Sequence, residues 1–358
     1  MRILALDIGS GTEDILLYDG SKEIENCIKI VLPSPSLVYS RKIRYFTKLR
    51  SDLFIKGGPI GGGRFTESLR RHLKTGSKII MTKDAAYSVR NNLEEVRARD
   101  IQVIEGENPP QDFKGETLEI KEVNITELED FLSQFEEDVS DVDAAAIAVQ
   151  DHGIPKDKQS NRRFRIEEMR KKLSDNPELE SLAYRADEIP THFIRMKAAA
   201  KAISSQIPAA QPIVMDTSIA AILGCLEDPK VKRSGTVLTA NIGNEHVTAS
   251  IISRGRVLAL LEHHTELLTP EELGSLLKAF TKGKVKGDSV FDEGGHGAFY
   301  LRHPAKLPRV DILTVTGPNR IRLQKTRLKI HLAAPGGDMM MTGPIGLVKA
   351  TKAKLTKS

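Results

Sequence analysis

The sequence predicts an α/β protein whose two halves have a similar architecture. Short apolar segments alternate with amphipathic helical segments through most of the first half, which is typical of a doubly wound sheet. Two strand–turn–strand units, one with an Asp-X-Gly turn and one with an Asn-X-Gly turn, lie about 230 residues apart. The chain of 358 residues is long enough to bury two cores. We therefore expect a duplicated fold in which one such unit opens each half.

The first of these units begins the chain. Residues 3–6 form a continuous apolar run, as expected of a buried strand, and residues 15–17 begin a return strand. Asp7 lies at the end of the first strand, and the turn that follows consists of Gly9, Ser10, Gly11 and Thr12. Backbone N–H groups in such a turn can bind phosphate oxygens while a neighbouring carboxylate holds a hydrated magnesium ion. An ordinary hairpin turn is the alternative that this stretch leaves open.

Strand and helix patterns then alternate up to residue 149. The patterns predict strands at 28–32, 53–56, 79–81, 101–104 and 144–149, and helices at 65–74, 85–98 and 125–137. Residues 105–119 are polar and contain two adjacent prolines, which predicts a loop. The glycine-rich run 57–64 lacks the Lys-Ser/Thr pair of a P-loop, so it is either a plain turn or an anion-binding wall of a site.

A basic segment interrupts this alternation. Residues 156–190 are expected to leave the core, either as a lid or cleft wall or as a solvated helical face. In the first case Arg162 and Arg163 would contact an anionic substrate. An Ala-rich helix is predicted at 191–205, and Pro208 and Pro212 bracket the predicted boundary between a first domain, 1–207, and a second, 208–358.

The second half repeats the strand-and-turn pattern. Residues 213–215 predict a strand that ends at Asp216, and a helix of small residues follows over 218–226. Asp216 fits two roles, a general base at a strand end or the N-cap of this helix. A second hairpin turns near Asn241, and a buried strand at 312–316 ends in a glycine turn.

The order of these motifs resembles that of the actin-like ATPase superfamily, which includes sugar kinases, heat-shock chaperone ATPases and dehydratase activases. DIGSGT at 7–12 and NIGNEH at 241–246 are similar to the two phosphate loops of that superfamily, and TVTGPN at 314–319 is similar to its adenosine motif. GPIGLVKA at 343–350 resembles its closing helix. The resemblance implies two ribonuclease-H-like domains with a nucleotide cleft between them, and ATP and Mg²⁺ as cofactors.

The same resemblance implies roles for individual residues. Asp7 would hold magnesium through water, and the nucleotide would be bound by Gly9, Ser10, Gly11, Thr12, Asn241, Gly243, Asn244, His246, Gly317, Pro318 and Asn319. AIAVQDHG at 146–153 is similar to a sugar-kinase strand with a substrate contact, which implies substrate roles for Gln150 and His152. VMDTSIAAILG at 214–224 resembles the unit that supplies the catalytic base, here Asp216.

Three further observations bear on the chemistry. Asn241 stands where many members of the superfamily have an acid, which leaves Asp7 as the strand-end acid of the phosphate loops for magnesium. Asp151, beside His152, is a further candidate acid–base group. His296 lies near Asp292 and Glu293, and His263 precedes His264, but neither group shows a full set of metal ligands in the sequence.

These residues are compatible with three functions. The first is an ATP-dependent phosphotransferase acting on a small molecule, as sugar kinases do. The second is an ATPase that drives conformational change in a partner protein, as activases of this fold do. The third is a nucleotide-binding protein without catalysis.

The remaining features of the chain restrict these functions. The closest overall resemblance is to an uncharacterised family sometimes labelled as pyruvate formate-lyase activating enzymes. Radical enzymes of that type need three clustered cysteines, and this chain has two, Cys27 and Cys225. The net charge of +5 is modest and its basic residues are scattered, so it does not indicate a nucleic-acid partner. Apolar runs are shorter than a membrane span. We expect a cytoplasmic protein, and a homodimer is compatible with the sequence.

Overall fold

The computed structural model describes residues 1–155 and 159–356, and within this part of the chain two six-stranded sheets form two lobes. The first lobe opens with β1 (Arg2–Ile8), β2 (Thr12–Asp19), β3 (Ile28–Pro33) and α1 (Pro35–Leu49). An inserted subdomain follows, with β4 (Leu53–Gly57), α2 (Gly63–Leu73), β5 (Ile79–Thr82), α3 (Lys83–Ala86), α4 (Leu93–Arg97), β6 (Ile101–Ile104) and β7 (Glu116–Ile120). The chain then returns to the first lobe.

The return segment completes the first sheet and leads into the second lobe. It comprises α5 (Ile125–Leu132), β8 (Ala144–Val149), α6 (Asn161–Asp175), β9 (Tyr184–Arg185), α7 (Ile194–Gln206), β10 (Gln211–Met215) and α8 (Thr217–Cys225). The second lobe contains α9 (Pro229–Lys232), β11 (Thr236–Ile242), β12 (His246–Ser253), β13 (Arg256–His264), α10 (Pro270–Thr281), α11 (Gly287–Asp292), β14 (Gly297–Tyr300), β15 (Ile312–Thr316), β16 (His331–Leu332) and α12 (Thr342–Thr356).

The two six-stranded sheets share one topology. In the first sheet, with the order β3-β2-β1-β8-β10-β9, the hairpin strands β1 to β3 are antiparallel and β8 pairs parallel to β1. In the second, with the order β14-β13-β12-β11-β15-β16, strands β11 to β13 are antiparallel and β15 pairs parallel to β11. This repeated arrangement is the duplicated ribonuclease-H-like fold of the actin-like ATPase superfamily, so the predicted fold class is confirmed.

Two helices with small residues cross between the lobes. Helices α8 and α12 pack against each other, α8 also packs against β11, and α12 against β1. A methyl group added to Gly224 would lie 1.7 Å from the carbonyl oxygen of Thr342, and one added to Gly346 would lie 1.9 Å from that of Ala220. Only glycine allows the two backbones to approach this closely, which explains the small-residue composition that the sequence shows in both helices.

The structure divides the chain differently from the predicted boundary at residue 207. Strand β10 follows Pro208, yet it pairs with β8 in the first sheet, and the second sheet begins at Thr236. The proline-containing segment after α7 is therefore a helix-to-strand loop inside one lobe, because prolines serve such loops as well as linkers. Residues 53–120 form a separate four-stranded parallel sheet, β6-β5-β4-β7, which the sequence patterns had merged with the first domain.

Smaller differences concern single elements. The helix expected at 85–98 is two short helices, α3 and α4, and the loop expected at 105–119 contains the start of β7. The basic excursion expected at 156–190 begins with residues 156–158, which lie outside the described residues, and continues as α6. Among the described helices, none is both long enough and apolar enough to cross a membrane.

Candidate functional site

The two hairpin turns have matching geometry and face each other. The N–H of Gly9 donates to the carbonyl oxygen of Thr12 at 2.9 Å, and the N–H of Gly243 donates to that of His246 at the same distance. A methyl group added to Gly11 would lie 2.7 Å from Nδ2 of Asn244, so the turn of one lobe reaches that of the other. The duplication predicted from sequence therefore places two equivalent turns on one site.

A cleft with a cavity volume of about 180 Å³ opens between these turns. Of the residues predicted to bind nucleotide or magnesium, those that line it are Asp7, Gly9, Ser10, Thr12, Asn241, Gly243, Asn244, His246, Gly317 and Pro318. The cleft is also lined by Gly61, Gly62 and Gly63, so the glycine-rich run forms a wall of it.

Asp7 lies at the floor of the cleft, between the first turns of two helices. Its Oδ1 accepts a hydrogen bond from Oγ1 of Thr217 at 2.5 Å, where α8 begins. A methyl group on Gly343, at the start of α12, would lie 1.8 Å from Oδ2 of Asp7. Helix N-termini carry partial positive charge, so they stabilise the negative charge of the Asp7 carboxylate that lies between them. Gly343 is required there because its backbone packs directly against the carboxylate.

Asp14 is a second acid at this floor and was not singled out from the sequence. It pairs with Asp7 across the β1–β2 hairpin and lines the cleft. Its Oδ1 is buried and has no hydrogen-bond partner among the described residues. Counting outward from the Gly9 turn along both strands of the hairpin places Asp14 directly opposite Asp7. The register of the hairpin was therefore the sequence signal that could have identified Asp14.

The electrostatics of this floor fit a bound cation. Burial, together with the charge of Asp14, raises the pKa of Asp7 well above its usual range. Burial also raises the pKa of Asp14 to about 7. Two close carboxylates, one with an unpartnered buried oxygen, are the oxygen donors that magnesium prefers. The residues present therefore fit a magnesium ion at Asp7 and Asp14.

Two further predicted residues are near the cleft in different ways. Gln150 follows β8, lines the cleft, and donates through Nε2 to Oε1 of Glu262 at 3.3 Å. Asn319 lies behind the second turn, where its Nδ2 donates to the carbonyl oxygen of Gly243 at 3.0 Å. The prediction that Asn319 contacts a nucleotide directly is therefore not supported by its position, because its amide holds the loop instead.

Asp216 and Asp151, which were predicted to be catalytic, have other partners. Both line a small neighbouring cavity rather than the cleft between the two turns. Asp216 is the N-cap of α8, accepting from the N–H of Ser218 at 3.0 Å, and both of its oxygens also accept from Arg165. Asp151 accepts from the backbone N–H groups of Gly153 and Met196. Of the two roles open for Asp216, the structure shows the N-cap.

Arg165 is the centre of a buried ion network that joins the lobes. Its guanidinium group contacts Asp216 at 2.6 and 2.9 Å and Glu262 at 3.0 and 3.1 Å, with all three side chains at most 4% exposed. Burial lowers the pKa of Arg165, but the charges of Asp216 and Glu262 outweigh this and raise it overall. Burial raises the pKa of Glu262, and the charge of Arg165 brings it below its usual value.

Arg162 and Arg163, which were predicted to bind an anionic substrate, contact the second lobe instead. Both guanidinium groups pack on the ring of Phe291, at 4.6 and 4.4 Å from its centroid. Arg162 donates to the carbonyl oxygen of Gly295, and Arg163 forms an ion pair with Asp288 at 3.2 Å. Helix α6 thus docks onto α11 and the loop after it. Composition shows that a segment is basic, but only tertiary packing decides where the charges point.

His152 lies next to the cleft, among other histidines. Its Nε2 is 2.9 Å from Nε2 of His296, and its ring centroid is 5.8 Å from that of His246, a cleft-lining residue. The sequence placed His296 near Asp292 and Glu293. In the structure its ring lies instead against His246 of β12 and His264 of β13.

The chain is similar to several solved structures, and similarity at this level concerns the overall fold only. ROK hexokinase from Thermus thermophilus is 11% identical, with 100% of each chain covered and a TM-score of 0.35. The activator of 2-hydroxyisocaproyl-CoA dehydratase from Clostridium difficile, solved with bound ADPNP, is 8% identical, with 99% of this chain and 98% of that chain covered and a TM-score of 0.34. None of the curated proteins compared with the chain matches it.

Family membership follows from the sequence itself. Residues 60–322, which make up most of the chain, match the sequence model of the family described as "Putative pyruvate format-lyase activating enzyme (DUF1786)". The overall resemblance of the sequence to an uncharacterised family with this label is thereby confirmed. This chain, with the fold of the actin-like ATPase superfamily, belongs to that family.

Proposed function

We propose that the cleft binds a nucleoside triphosphate, ATP, together with magnesium. The observation that carries this proposal is the pair of matching turns, each closed by a 2.9 Å N–H···O bond, that face each other above Asp7. Backbone N–H groups of both turns would contact the phosphate oxygens. The nucleoside would lie towards Gly317 and Pro318, on the far side of the second turn.

The positive ends of two helices support phosphate binding at the same place. Thr217 begins α8, Gly343 lies in the first turn of α12, and both residues line the cleft. Exposed N–H groups and the helix dipole favour negative charge there. Asp7 and Asp14 would hold the magnesium ion, which when bound supplies positive charge that neutralises the phosphate oxygens.

We propose hydrolysis by water as the reaction. The strand-end carboxylate of Asp216, the predicted base, already accepts from Arg165, so it is not free to take a proton from a hydroxyl acceptor. The amide of Gln150 lies at the cleft and can orient a water molecule without removing its proton. Slow hydrolysis linked to movement of the lobes suits an ATPase that acts on a partner protein.

A phosphotransferase is the second candidate, and one observation favours it. Glu245 lines the cleft, and burial together with the charge of Glu266 raises its pKa. A carboxyl group with a raised pKa is suited to take a proton from an acceptor hydroxyl near neutral pH. The radical activity named in the family label is not proposed, because the two cysteines of this chain cannot supply a three-cysteine cluster.

Calorimetry with ATP and magnesium tests the binding proposal. Wild type should bind, and Asp7→Asn should bind magnesium–ATP at least about tenfold more weakly, a change of about 1.4 kcal/mol. Asp19→Asn is the matched control, because Asp19 ends the same hairpin on the side away from the turn. Equal affinity in wild type and Asp7→Asn, or no binding by either, would contradict the proposal.

Phosphate release distinguishes the two reactions. Under the hydrolysis proposal, Gln150→Ala should lower the rate of phosphate release from ATP in water, whereas Glu245→Gln should leave it nearly unchanged. Under the phosphotransferase alternative, Glu245→Gln should instead abolish transfer to an added acceptor. A Gln150→Ala protein with the full wild-type hydrolysis rate would exclude the role given to Gln150.

A further inference from the structure

A cluster of histidines lies at the edge of the cleft, where the two lobes meet. His246 and His264 are paired in register across β12 and β13, with ring centroids 4.6 Å apart. His296 joins them because its backbone N–H donates to the carbonyl oxygen of Glu262 on β13, which places its ring 4.9 Å from that of His246 and 5.0 Å from that of His264. The second lobe therefore contributes three imidazoles.

The first lobe contributes one more. His152 follows β8, and its Nε2 lies 2.9 Å from Nε2 of His296. One donor atom from each of His152, His246 and His296 can be chosen so that all three lie within 4.8 Å of one another. These three imidazoles approach from both lobes and converge on one point.

Two polar atoms of this cluster lack the partners that buried groups normally have. Nε2 of His246 and Nδ1 of His296 are buried, and neither has a hydrogen-bond partner in the described part of the chain. Leaving a buried polar group unpaired costs free energy, and such groups call for an unseen partner such as an ion. Burial lowers the pKa of His246 to about 4 and lowers those of His152 and His296, so the rings are neutral at neutral pH, as metal ligands must be.

We propose that His152, His246 and His296 bind a divalent transition-metal ion of the zinc class, which links the two lobes at the edge of the cleft. Imidazole nitrogen suits zinc and its neighbours, whereas magnesium prefers oxygen ligands. Zinc–nitrogen bonds of about 2.0–2.1 Å in a tetrahedral site place the ligand nitrogens about 3.3 Å apart. The three histidine donor atoms lie within 4.8 Å of one another, so metal binding would draw the most widely separated pair of nitrogens closer. The site is distinct from the proposed magnesium site and does not depend on nucleotide binding.

The surroundings indicate how the site would be used. Glu262 lies 3.9 Å from Nε2 of His296, but its oxygens accept from Arg165 and Gln150, so it would orient the cluster rather than complete it. Three protein ligands leave a fourth position for water or for a ligand oxygen. Since His246 lines the cleft, that position lies next to the space proposed for the phosphates. A metal here would also hold the lobes together.

Binding of Zn²⁺ and Co²⁺ to the full chain, with any affinity tag removed, tests this proposal. One Co²⁺ ion should bind per chain with the visible absorption of a tetrahedral nitrogen site, and Zn²⁺ should displace it. His152→Asn and His246→Asn should each weaken binding at least about tenfold, while His303→Asn, at an exposed histidine outside the cluster, should leave it unchanged. Each variant is checked for folding by thermal denaturation.

The outcomes separate this site from the nucleotide proposal. Asp7→Asn should retain full Co²⁺ binding, and excess Mg²⁺ should not displace the ion. Absence of Co²⁺ binding by wild type, or binding that both histidine variants retain, would overturn the proposal. If the variants fail to fold, an octahedral Co²⁺ spectrum of wild type would overturn it equally, because a three-histidine site with one open position predicts the tetrahedral one.

Discussion

Replacement of Arg165 by Met should destabilise the protein strongly. Methionine keeps an unbranched side chain in the buried space but removes every donor of the guanidinium group. Those donors bind Asp216 from the first lobe and Glu262 from the second, and they also contact the carbonyl oxygen of Asp151. Both carboxylates would then remain buried without their counter-charge.

The size of the destabilisation follows from the hydrogen bonds that each carboxylate retains in Arg165→Met. Asp216 retains the N–H and hydroxyl of Ser218, whereas among the described residues Glu262 retains one hydrogen bond, from the amide of Gln150 at 3.3 Å. Removing one partner of a buried ion network costs about 3–5 kcal/mol. At about 2.1 cal/mol/K per residue, a chain of 358 residues has an unfolding entropy of about 0.75 kcal/mol/K, so the melting temperature should fall by about 5 °C.

Chemical and thermal denaturation of three variants measure this effect. Arg163→Met is the matched control on the same helix, because its ion pair with Asp288 is largely exposed and should contribute at most about 1 kcal/mol. Adding Glu262→Gln to Arg165→Met should recover part of the loss, since it removes the less satisfied of the two carboxylates. If Arg165→Met lowers the free energy of unfolding no more than Arg163→Met does, the network does not stabilise the lobes as argued.

Three further predictions concern the floor of the cleft, the crossing helices and the docking of α6. Without divalent cations, the free energy of unfolding should fall as the pH rises from about 4 to about 7 and level off above, because Asp14 keeps its proton up to a pKa of about 7 when folded but ionises near pH 4 when unfolded. Asp14→Asn should flatten this pH profile, and Mg²⁺ should reduce the loss of unfolding free energy in wild type. If the pH profile of Asp14→Asn were identical to that of wild type, the pKa assigned to Asp14 would be wrong. Gly346→Ala should cost about 1–3 kcal/mol in denaturant unfolding because its methyl group would overlap the backbone of α8. Gly58→Ala, which meets no atom of the described residues within 4 Å, should cost much less, and equal effects would argue against close packing of the helices. Phe291→Ala should speed amide hydrogen exchange in α6, because two guanidinium contacts of about 0.5–1 kcal/mol each are lost, and unchanged exchange would show that Phe291 does not hold the helix.

Much of the fold could be predicted from local patterns. The apolar run before Asp7 and the glycine turn after it define β1 and its hairpin, because alternation, burial and turn chemistry are all properties of neighbouring residues. The same reasoning found the second hairpin at Asn241. It failed at Pro208 and Pro212, because a loop that leads into a strand of the same lobe has the same composition as a linker between lobes.

In the candidate site, too, local patterns predicted some features, whereas others depend on tertiary packing. Most of the predicted residues of both turns line one cleft, since their positions follow from hairpins that the chain forms locally. Asp216 was placed correctly at a strand end, but its partner Arg165 is 51 residues away and approaches from a helix whose docking no local pattern indicates. The role expected for Asp216 therefore depended on a contact that sequence reasoning could not see.

The sequence by itself determined the duplicated hairpins, the small residues of the crossing helices and the acid beside the first turn. Each of these depends on the backbone conformation or burial of a few consecutive residues. The tertiary structure decided which charges meet: Arg165 with Asp216 and Glu262, Asp7 with the starts of two helices, and His152 with His296, 144 residues apart. Such pairings arise from the packing of whole elements, and electrostatic interactions between side chains act through space rather than along the chain.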